Sequence, residues 1–296
     1  MAATHASEKA RWESDGWCLL EALLPDDVVR AAQAELAALF PTAEEFAADR
    51  DPERNRPFRT DSHTVMPGFP FEAGALNDLV LHDSLMDLAE EFLGQSDLRL
   101  YQGMLSAKYS LGAESDEQLL HVDYGNHTLV VPRTDAGYQH LELFVYLSDV
   151  TAETAATRIV SRQLTGEVPT ERTYLNPADY SHLYEAEVPA VGGSGSVLAY
   201  RPDVYHRGVR MTAPDSARFM LHVSFKPAHT DWLGSQAWPG AAEGMAWHRF
   251  MQGPKSVRQL SMLGFPPPGH PYWNEDTLRR VARRYPLLDL TPWRSA

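Results

Sequence analysis

The segment RFMLHVSF at 218–225 alternates between two kinds of side chain along its whole length. One set of alternate positions holds Phe, Leu, Val and Phe. The other set consists of Arg218, Met220, His222 and Ser224. Because successive side chains of a strand point to opposite faces, this pattern predicts a strand with one apolar face and one face that carries a cation and an imidazole.

Four short segments upstream also read as strands, at 98–105, 118–123, 141–147 and 195–200. Turn-forming residues separate them, and no long helical pattern lies between them. A parallel sheet needs long crossover connections, usually helices. The sequence therefore predicts an antiparallel sandwich or barrel.

Helical patterns flank this β region on both sides. Residues 26–40 place apolar side chains on one stripe. Residues 84–93 follow with Asp83 as the expected N-cap and Gly94 as the stop. A third helix is predicted near 275–285, close to the end of the chain.

The chain has 296 residues, a length that suits one or two domains. It has no internal repeat and no clear linker, so we expect a single domain over 1–296. Its regions are a helical N-terminal cover at about 1–97, a β core at about 98–228 and a C-terminal cap at about 229–296. Three tryptophans of the cap are expected to pack within it rather than to form an apolar lid: Trp232, Trp238 and Trp247.

The charge balance excludes several classes of partner. With 40 acidic and 26 basic residues, the net charge is −14. This charge disfavours binding to nucleic acid and to anionic membranes, so we expect neither as a partner and expect a small molecule instead. The N-terminal segment contains acidic residues and no long apolar run, unlike a signal peptide or a membrane span. These absences favour a cytoplasmic protein, and the oligomeric state is left open.

The cysteine content restricts the possible metal sites. Cys18 is the only cysteine and lies in a short apolar run, so we expect it to be buried. A single cysteine excludes an internal disulfide, an iron–sulfur cluster and a cysteine-rich zinc site. Any metal ion in this protein must be held by histidines and carboxylates.

A histidine and an acid two residues apart on a strand can present their ligand atoms to one ion. With 12 histidines and 40 acids, chance alone gives one or two such pairs, so a pair by itself proves little. Three pairs occur: His121/Asp123, His140/Glu142 and His229/Asp231.

The residues downstream distinguish these pairs in part. A site with two histidines and one carboxylate needs a second histidine, and His206 ends a strand-like run before a glycine. Arg218 begins the next strand and could hold an anionic ligand beside such a site. Both residues follow His121/Asp123 and His140/Glu142, so both pairs remain candidates.

Four segments in this order resemble the phytanoyl-CoA dioxygenase family: LLHVDYGN, LFVYLSDVT, SGSVLAYRPDVYHRG and ARFMLHVSFKP. The opening WESDGWCLLEALLPDDVV is similar to the N-terminal segment of that family, so the resemblance covers about residues 8–228. It implies a double-stranded β-helix (a jelly-roll, cupin-like core) with N-terminal helices. It also implies Fe(II) as cofactor, with 2-oxoglutarate and dioxygen as co-substrates. The implied reaction hydroxylates a small-molecule C–H bond and releases succinate and CO2.

The resemblance assigns His121, Asp123 and His206 to the iron and Arg218 to the 5-carboxylate of 2-oxoglutarate, which favours His121/Asp123 over His140/Glu142. Other assignments rest on position alone. Ser224 and Gln102 are candidate contacts of the co-substrate, and the candidate substrate contacts are Tyr124, Asn126 and Lys108.

One segment departs from the family. After LSDVT the family often has a glycine and then a Pro-Gly-Ser-His turn, whereas this chain reads TAETAATRIVSRQLTG at 151–166. In the family this region borders the substrate pocket, so the departure leaves the substrate open. Two other functions stay possible on sequence grounds: a binding protein that has lost catalysis, and a cupin-like metal-dependent isomerase or hydrolase that has no need of Arg218.

Overall fold

The computed structural model describes most of the chain. The described residues are 5–60, 66–111, 117–123, 127, 136–166, 168, 174–230, 238 and 246–294.

The β core consists of two five-stranded antiparallel sheets. The large sheet has the order β1-β8-β4-β10-β2, and its strands are β1 (Trp17–Leu20), β2 (Leu98–Tyr109), β4 (Leu141–Tyr146), β8 (Val197–Tyr200) and β10 (Ala217–Pro227). The small sheet has the order β6-β3-β9-β5-β7, and its strands are β3 (Leu120–His121), β5 (Arg158–Ile159), β6 (Tyr174–Leu175), β7 (Val188–Pro189) and β9 (His206–Arg207). This is the predicted jelly-roll class, as two sheets rather than one closed barrel.

The alternation that predicted β10 separates the two faces of the large sheet. Leu221, Val223 and Phe225 are fully buried and belong to the main hydrophobic core, together with apolar residues of the helices. Met220 lies on the other face, in a second apolar cluster that includes Ile159 of the small sheet. The second face of β10 therefore looks into the space between the two sheets.

The helices that precede β2 or follow β10 contribute to the main hydrophobic core with the large sheet, whereas Leu183, on a helix between the strands, packs with Leu120 and Leu175 of the small sheet. Along the chain the helices are α1 (Ala6–Asp15), α2 (Asp26–Leu39), α3 (Ala43–Ala47), α4 (Pro52–Asn55), α5 (Pro57–Thr60), α6 (Gly74–Val80), α7 (Asp83–Leu93), α8 (Arg162–Thr165), α9 (Ser181–Glu185), α10 (Ala246–Gln252), α11 (Val257–Met262), α12 (Glu275–Arg284) and α13 (Thr291–Arg294). The three predicted helices are present as α2, α7 and α12. One cap prediction was wrong: His82, not Asp83, is the N-cap of α7, because its ring accepts the Ser84 N–H at 3.2 Å. Gly94 ends this helix in the left-handed conformation, with φ of 66°.

The C-terminal region packs onto the N-terminal helices. Arg258 forms ion pairs with Asp87 at 2.6 Å and Glu90 at 3.0 Å, both on α7. Trp238 is buried with its ring against Phe69, at a centroid distance of 5.5 Å. The main hydrophobic core also draws residues from all three predicted regions.

The Trp247 indole donates to the Tyr285 hydroxyl at 3.0 Å, a contact within the cap, whereas Trp232 lies outside the described residues. Cys18 is a buried free thiol, as expected. In the part of the chain that the structure describes, no helix has the length and apolar character needed to cross a membrane.

Candidate metal centre

Pairing within the small sheet brings two histidines together. His121 on β3 lies directly opposite His206 on β9, and their ring centroids are 4.5 Å apart. Asp123 follows β3 by two residues. Its Oδ1 lies 3.8 Å from His121 Nε2, and its Oδ2 lies 3.7 Å from His206 Nε2. All three residues are buried, and their ligand atoms lie within 4.8 Å of one another. We call these residues the metal triad.

Backbone carbonyls orient both imidazoles of the metal triad. His121 Nδ1 lies 2.9 Å from Leu119 O, and His206 Nδ1 lies 3.1 Å from Val204 O. A carbonyl oxygen can only accept, so Nδ1 is the protonated nitrogen in each ring. The lone pair of each Nε2 is then free to bind a metal ion, an arrangement typical of histidine ligands in proteins.

Tyr200 holds the carboxylate of the metal triad. Its hydroxyl donates to Asp123 Oδ2 at 2.8 Å, and its ring contacts the His206 ring at a centroid distance of 4.9 Å. Burial together with the negative charges of Asp123 and Glu142 raises the pKa of Tyr200, so the hydroxyl stays protonated and donates. Burial also opposes the charge on Asp123, but the nearby His206 and His127 outweigh it and lower the pKa of Asp123.

A pocket beside the metal triad contains two cations. His206, Arg218 and Lys108 all line it, and its other lining residues are Ser106, Ala107, Gln118, Phe144, Thr157, Gly208, Met220 and His222. Burial lowers the pKa of Arg218 to about 10, which still leaves the guanidinium charged at neutral pH. Lys108 Nζ is buried and donates to Val209 O. We call this space the Arg218 pocket.

The Arg218 guanidinium has unused hydrogen-bonding capacity. Nη1 donates to Ala155 O, whereas Nε is shielded from solvent and has no hydrogen-bond partner among the described residues. Among the residues that the structure describes, no carboxylate pairs with the guanidinium. Cations shielded from solvent are normally paired, so the arrangement fits an anionic ligand that enters the pocket.

The structure does not bring Ser224 and Gln102 to this pocket. The two residues face each other in the β10–β2 register, six residues along β10 from Arg218. At about 3.3 Å per residue this is a separation of about 20 Å, so a shared face does not mean a shared ligand. Ser224 instead donates to Glu142 Oε2. Lys108, expected to contact the substrate, lies in the Arg218 pocket, while Tyr124 and Asn126 lie outside the described residues.

A second histidine–carboxylate group lies on the inner face of the large sheet. His127 Nδ1 and His140 Nε2 each lie 3.3 Å from Glu142 Oε1. The Tyr101 hydroxyl donates to the same oxygen and lies 3.0 Å from His127 Nδ1. We call Tyr101, His127, His140 and Glu142 the Glu142 cluster. The third pair, His229/Asp231, gives no comparable group among the described residues: the His229 ring meets the Tyr138 ring edge to face, and Asp231 lies outside the described residues.

Charges within the Glu142 cluster stabilise one another. Burial opposes the charge on Glu142, but the two histidines outweigh it and hold the pKa of Glu142 well below its usual range. Burial likewise opposes the charge on His127, yet Glu142 raises the pKa of His127 to about 9. Sequence reasoning missed Tyr101 and Tyr200. The only available signal was a tyrosine at an alternate position of a predicted strand, which is equally typical of a core residue.

The chain matches one protein family over most of its length. The family model for phytanoyl-CoA dioxygenase (PhyH) matches residues 12–219. No curated protein sequence shows significant similarity to the chain.

Solved structures of low sequence identity share the fold. The epimerase SnoN, in complex with Fe3+, alpha ketoglutarate and nogalamycin RO, is 19% identical, with a TM-score of 0.53 over 75% of this chain and 83% of that one. HygX from Streptomyces hygroscopicus, with nickel and 2-oxoglutarate bound, is 18% identical, with a TM-score of 0.55 over 77% and 89%. The non-heme alpha ketoglutarate dependent carbocyclase SnoK is 18% identical, with a TM-score of 0.52 over 77% and 85%.

The family match spans well over half of the chain. Iron, 2-oxoglutarate and dioxygen are the cofactor and co-substrates of the matched family. The protein belongs to the phytanoyl-CoA dioxygenase family of iron- and 2-oxoglutarate-dependent oxygenases.

Proposed function

We propose that the protein is a cytoplasmic oxygenase that hydroxylates a C–H bond of a small organic molecule and converts 2-oxoglutarate to succinate and CO2. His121, Asp123 and His206 would hold Fe(II), and Arg218 would bind the 5-carboxylate of 2-oxoglutarate. The observation that carries the proposal is the Arg218 pocket, which places a partly buried guanidinium beside a histidine of the metal triad. Its Nε is shielded from solvent and has no hydrogen-bond partner among the described residues.

The donor set of the metal triad fits this metal. Two neutral imidazoles and one carboxylate are the ligands typical of non-haem Fe(II) oxygenases, and they leave coordination positions open for the co-substrates. When bound, iron supplies the activation of dioxygen and the oxidation of the C–H bond. The chain supplies the two Nε2 atoms, which Leu119 and Val204 orient, and the carboxylate, which Tyr200 orients.

The Arg218 pocket fits a dicarboxylate. A guanidinium fork can donate two parallel hydrogen bonds to one carboxylate, and the second cation of the pocket, Lys108, adds to its positive potential. Phe144 and Met220 contribute apolar surface to the lining of the same pocket. This surface limits water around the ion pair and thereby strengthens it.

Hydroxylation is the proposed outcome among several open to this fold. SnoN is an epimerase and SnoK a carbocyclase, and both are alpha ketoglutarate enzymes with the same overall fold. Each outcome requires the substrate to lie beside the metal. Product analysis by mass spectrometry separates them, because hydroxylation adds one oxygen atom to the substrate and the other two add none.

The first test needs no substrate. Anaerobic addition of Fe(II) and 2-oxoglutarate to the metal-free protein should give a visible metal-to-ligand charge-transfer band. A metal-dependent isomerase or hydrolase that does not use 2-oxoglutarate would give no such band, so its absence from the folded protein would overturn the proposal. A binding protein without catalysis could give the band but would release no succinate. Succinate release in the presence of candidate small molecules then identifies the substrate.

A further inference from the structure

The Glu142 cluster takes no part in the proposed function, although it contains the same ligand types as the metal triad. Two imidazole nitrogens and a carboxylate oxygen lie within 4.8 Å of one another. None of these residues belongs to the metal triad. His140 and Glu142 are almost fully buried, each with 2% of its surface exposed.

The spacing of the ligand atoms matches that of a tetrahedral metal site. Both nitrogens lie 3.3 Å from Glu142 Oε1. In a tetrahedral zinc site with bonds of about 2.0–2.1 Å, neighbouring ligand atoms are about 3.3 Å apart. A charge-assisted hydrogen bond between the same atoms is usually shorter, at about 2.7–2.9 Å.

The Tyr101 hydroxyl borders the set but is not one of its ligands. It donates to Glu142 Oε1 and lies 3.0 Å from His127 Nδ1. The cluster thus offers two nitrogens and one carboxylate oxygen, the donor set of zinc sites that leave a fourth position open.

The second oxygen of Glu142 is held in the way that ligating carboxylates are held. Ser224 is fully buried and donates its hydroxyl to Oε2, so Oε1 is the oxygen that faces the imidazoles. In the metal triad the Tyr200 hydroxyl likewise holds Asp123 Oδ2. Such outer hydrogen bonds orient metal ligands and tune their affinity.

We propose that His127, His140 and Glu142 bind a second divalent cation, of the zinc type, at a site separate from the metal triad. The site links β4 of the large sheet to His127, whose backbone N–H donates to Asp123 O at 3.2 Å. A cation there would tie the chain segment just after the metal triad to the sheet. This second site does not depend on the proposed oxygenase activity.

The test counts metal ions in the full-length protein. The metal-free protein is dialysed against Zn2+ at micromolar concentration, and bound zinc is measured by mass spectrometry of the digested protein. We expect two ions in the wild type, one in E142Q and one in D123A. Titration with Co2+ should give the intense visible absorption of a tetrahedral site in the wild type and in D123A, and should lose it in E142Q. One ion in the wild type, or two in E142Q, would overturn the proposal.

Two additions keep the result decisive. E187Q serves as the matched control, since it removes a carboxylate that pairs with Arg207 and belongs to neither group, and it should still bind two ions. H127Q changes the least buried ligand of the cluster and takes the place of E142Q if E142Q does not fold. H127Q should lower the affinity for the second ion at least 10-fold. A charge-transfer band that E142Q abolishes and D123A preserves would instead place iron in the Glu142 cluster, which contradicts the proposed iron site but not the presence of a metal there.

Discussion

The space between the two sheets contains two groups with the same composition, two histidines and a carboxylate, in different surroundings. In the metal triad, backbone carbonyls orient the imidazoles, and the Arg218 pocket lies beside them. In the Glu142 cluster the described contacts of the His127 and His140 imidazoles are with side chains, and no cation pocket is described beside them. The comparison teaches that composition alone does not distinguish the two groups. The proposed assignment of the redox centre to the metal triad rests instead on the neighbouring Arg218 pocket.

The largest effect is expected from removal of the triad carboxylate. Asp123→Ala leaves two imidazoles and no anionic ligand, so Fe(II) affinity should fall at least 100-fold and the charge-transfer band should disappear. Glu142→Ala is the matched variant in the other group, and it should keep the band. Anaerobic absorption titrations measure both. If both variants lost the band, or both kept it, the assignment of iron to the metal triad and not to the Glu142 cluster would be wrong.

The next largest effect concerns the Arg218 pocket, which lies beside the metal triad and distinguishes it from the Glu142 cluster. Arg218→Ala removes a buried charged contact, which should cost about 2–4 kcal/mol of 2-oxoglutarate binding, or about 30- to 900-fold in affinity. The affinity for Fe(II), measured without 2-oxoglutarate, should change less than threefold. Calorimetric titrations of each ligand check both values, and equal losses for the two ligands would contradict the role of Arg218.

An intermediate effect is expected from the hydroxyl that orients the triad carboxylate. Tyr200→Phe keeps the ring against His206 but removes the hydrogen bond to Asp123, and losses of such outer contacts typically weaken metal binding about 10- to 100-fold. Tyr146→Phe is the control, because the Tyr146 hydroxyl donates to Ala190 O at 2.7 Å, away from the triad. Without metal, both variants should melt at similar temperatures. Only Tyr200→Phe should lower the affinity for Fe(II). Equal metal affinities would show that the hydroxyl does not orient the ligand.

The sequence predicted four of the five strands of the large sheet, and the short β1 was missed. Long strands such as β2 and β10 repeat their period of two many times, which makes them easy to detect. The alternation at 218–225 was sufficient to predict β10 and its two faces. The small sheet was largely missed, since strands of two residues carry no period. These strands nevertheless form the metal triad: His121 and His206 lie opposite each other only through the pairing of β3 with β9.

The candidate site shows the same limit. His121/Asp123 and His140/Glu142 have identical spacing, so spacing could not separate them. The residues that surround each pair in the folded protein are different, and they come from distant parts of the chain. Ser224 shows a second limit, because a period of two predicts which face a side chain occupies but not how far along the strand its partner lies.

The smallest effect tests this last point within the Glu142 cluster. Ser224→Ala removes a buried hydroxyl that donates to Glu142, which should lower the free energy of unfolding by about 1–3 kcal/mol. Because Ser224 lies about 20 Å from Arg218 along β10, the affinity for 2-oxoglutarate should change less than twofold. Ser106→Ala is the matched variant in the Arg218 pocket, where the Ser106 hydroxyl lies 2.9 Å from His222 Nε2. This variant should instead lower the affinity for 2-oxoglutarate severalfold. Urea unfolding and calorimetry measure the two effects. A Ser224→Ala variant with intact stability and weak 2-oxoglutarate binding would show that this serine acts on the co-substrate after all.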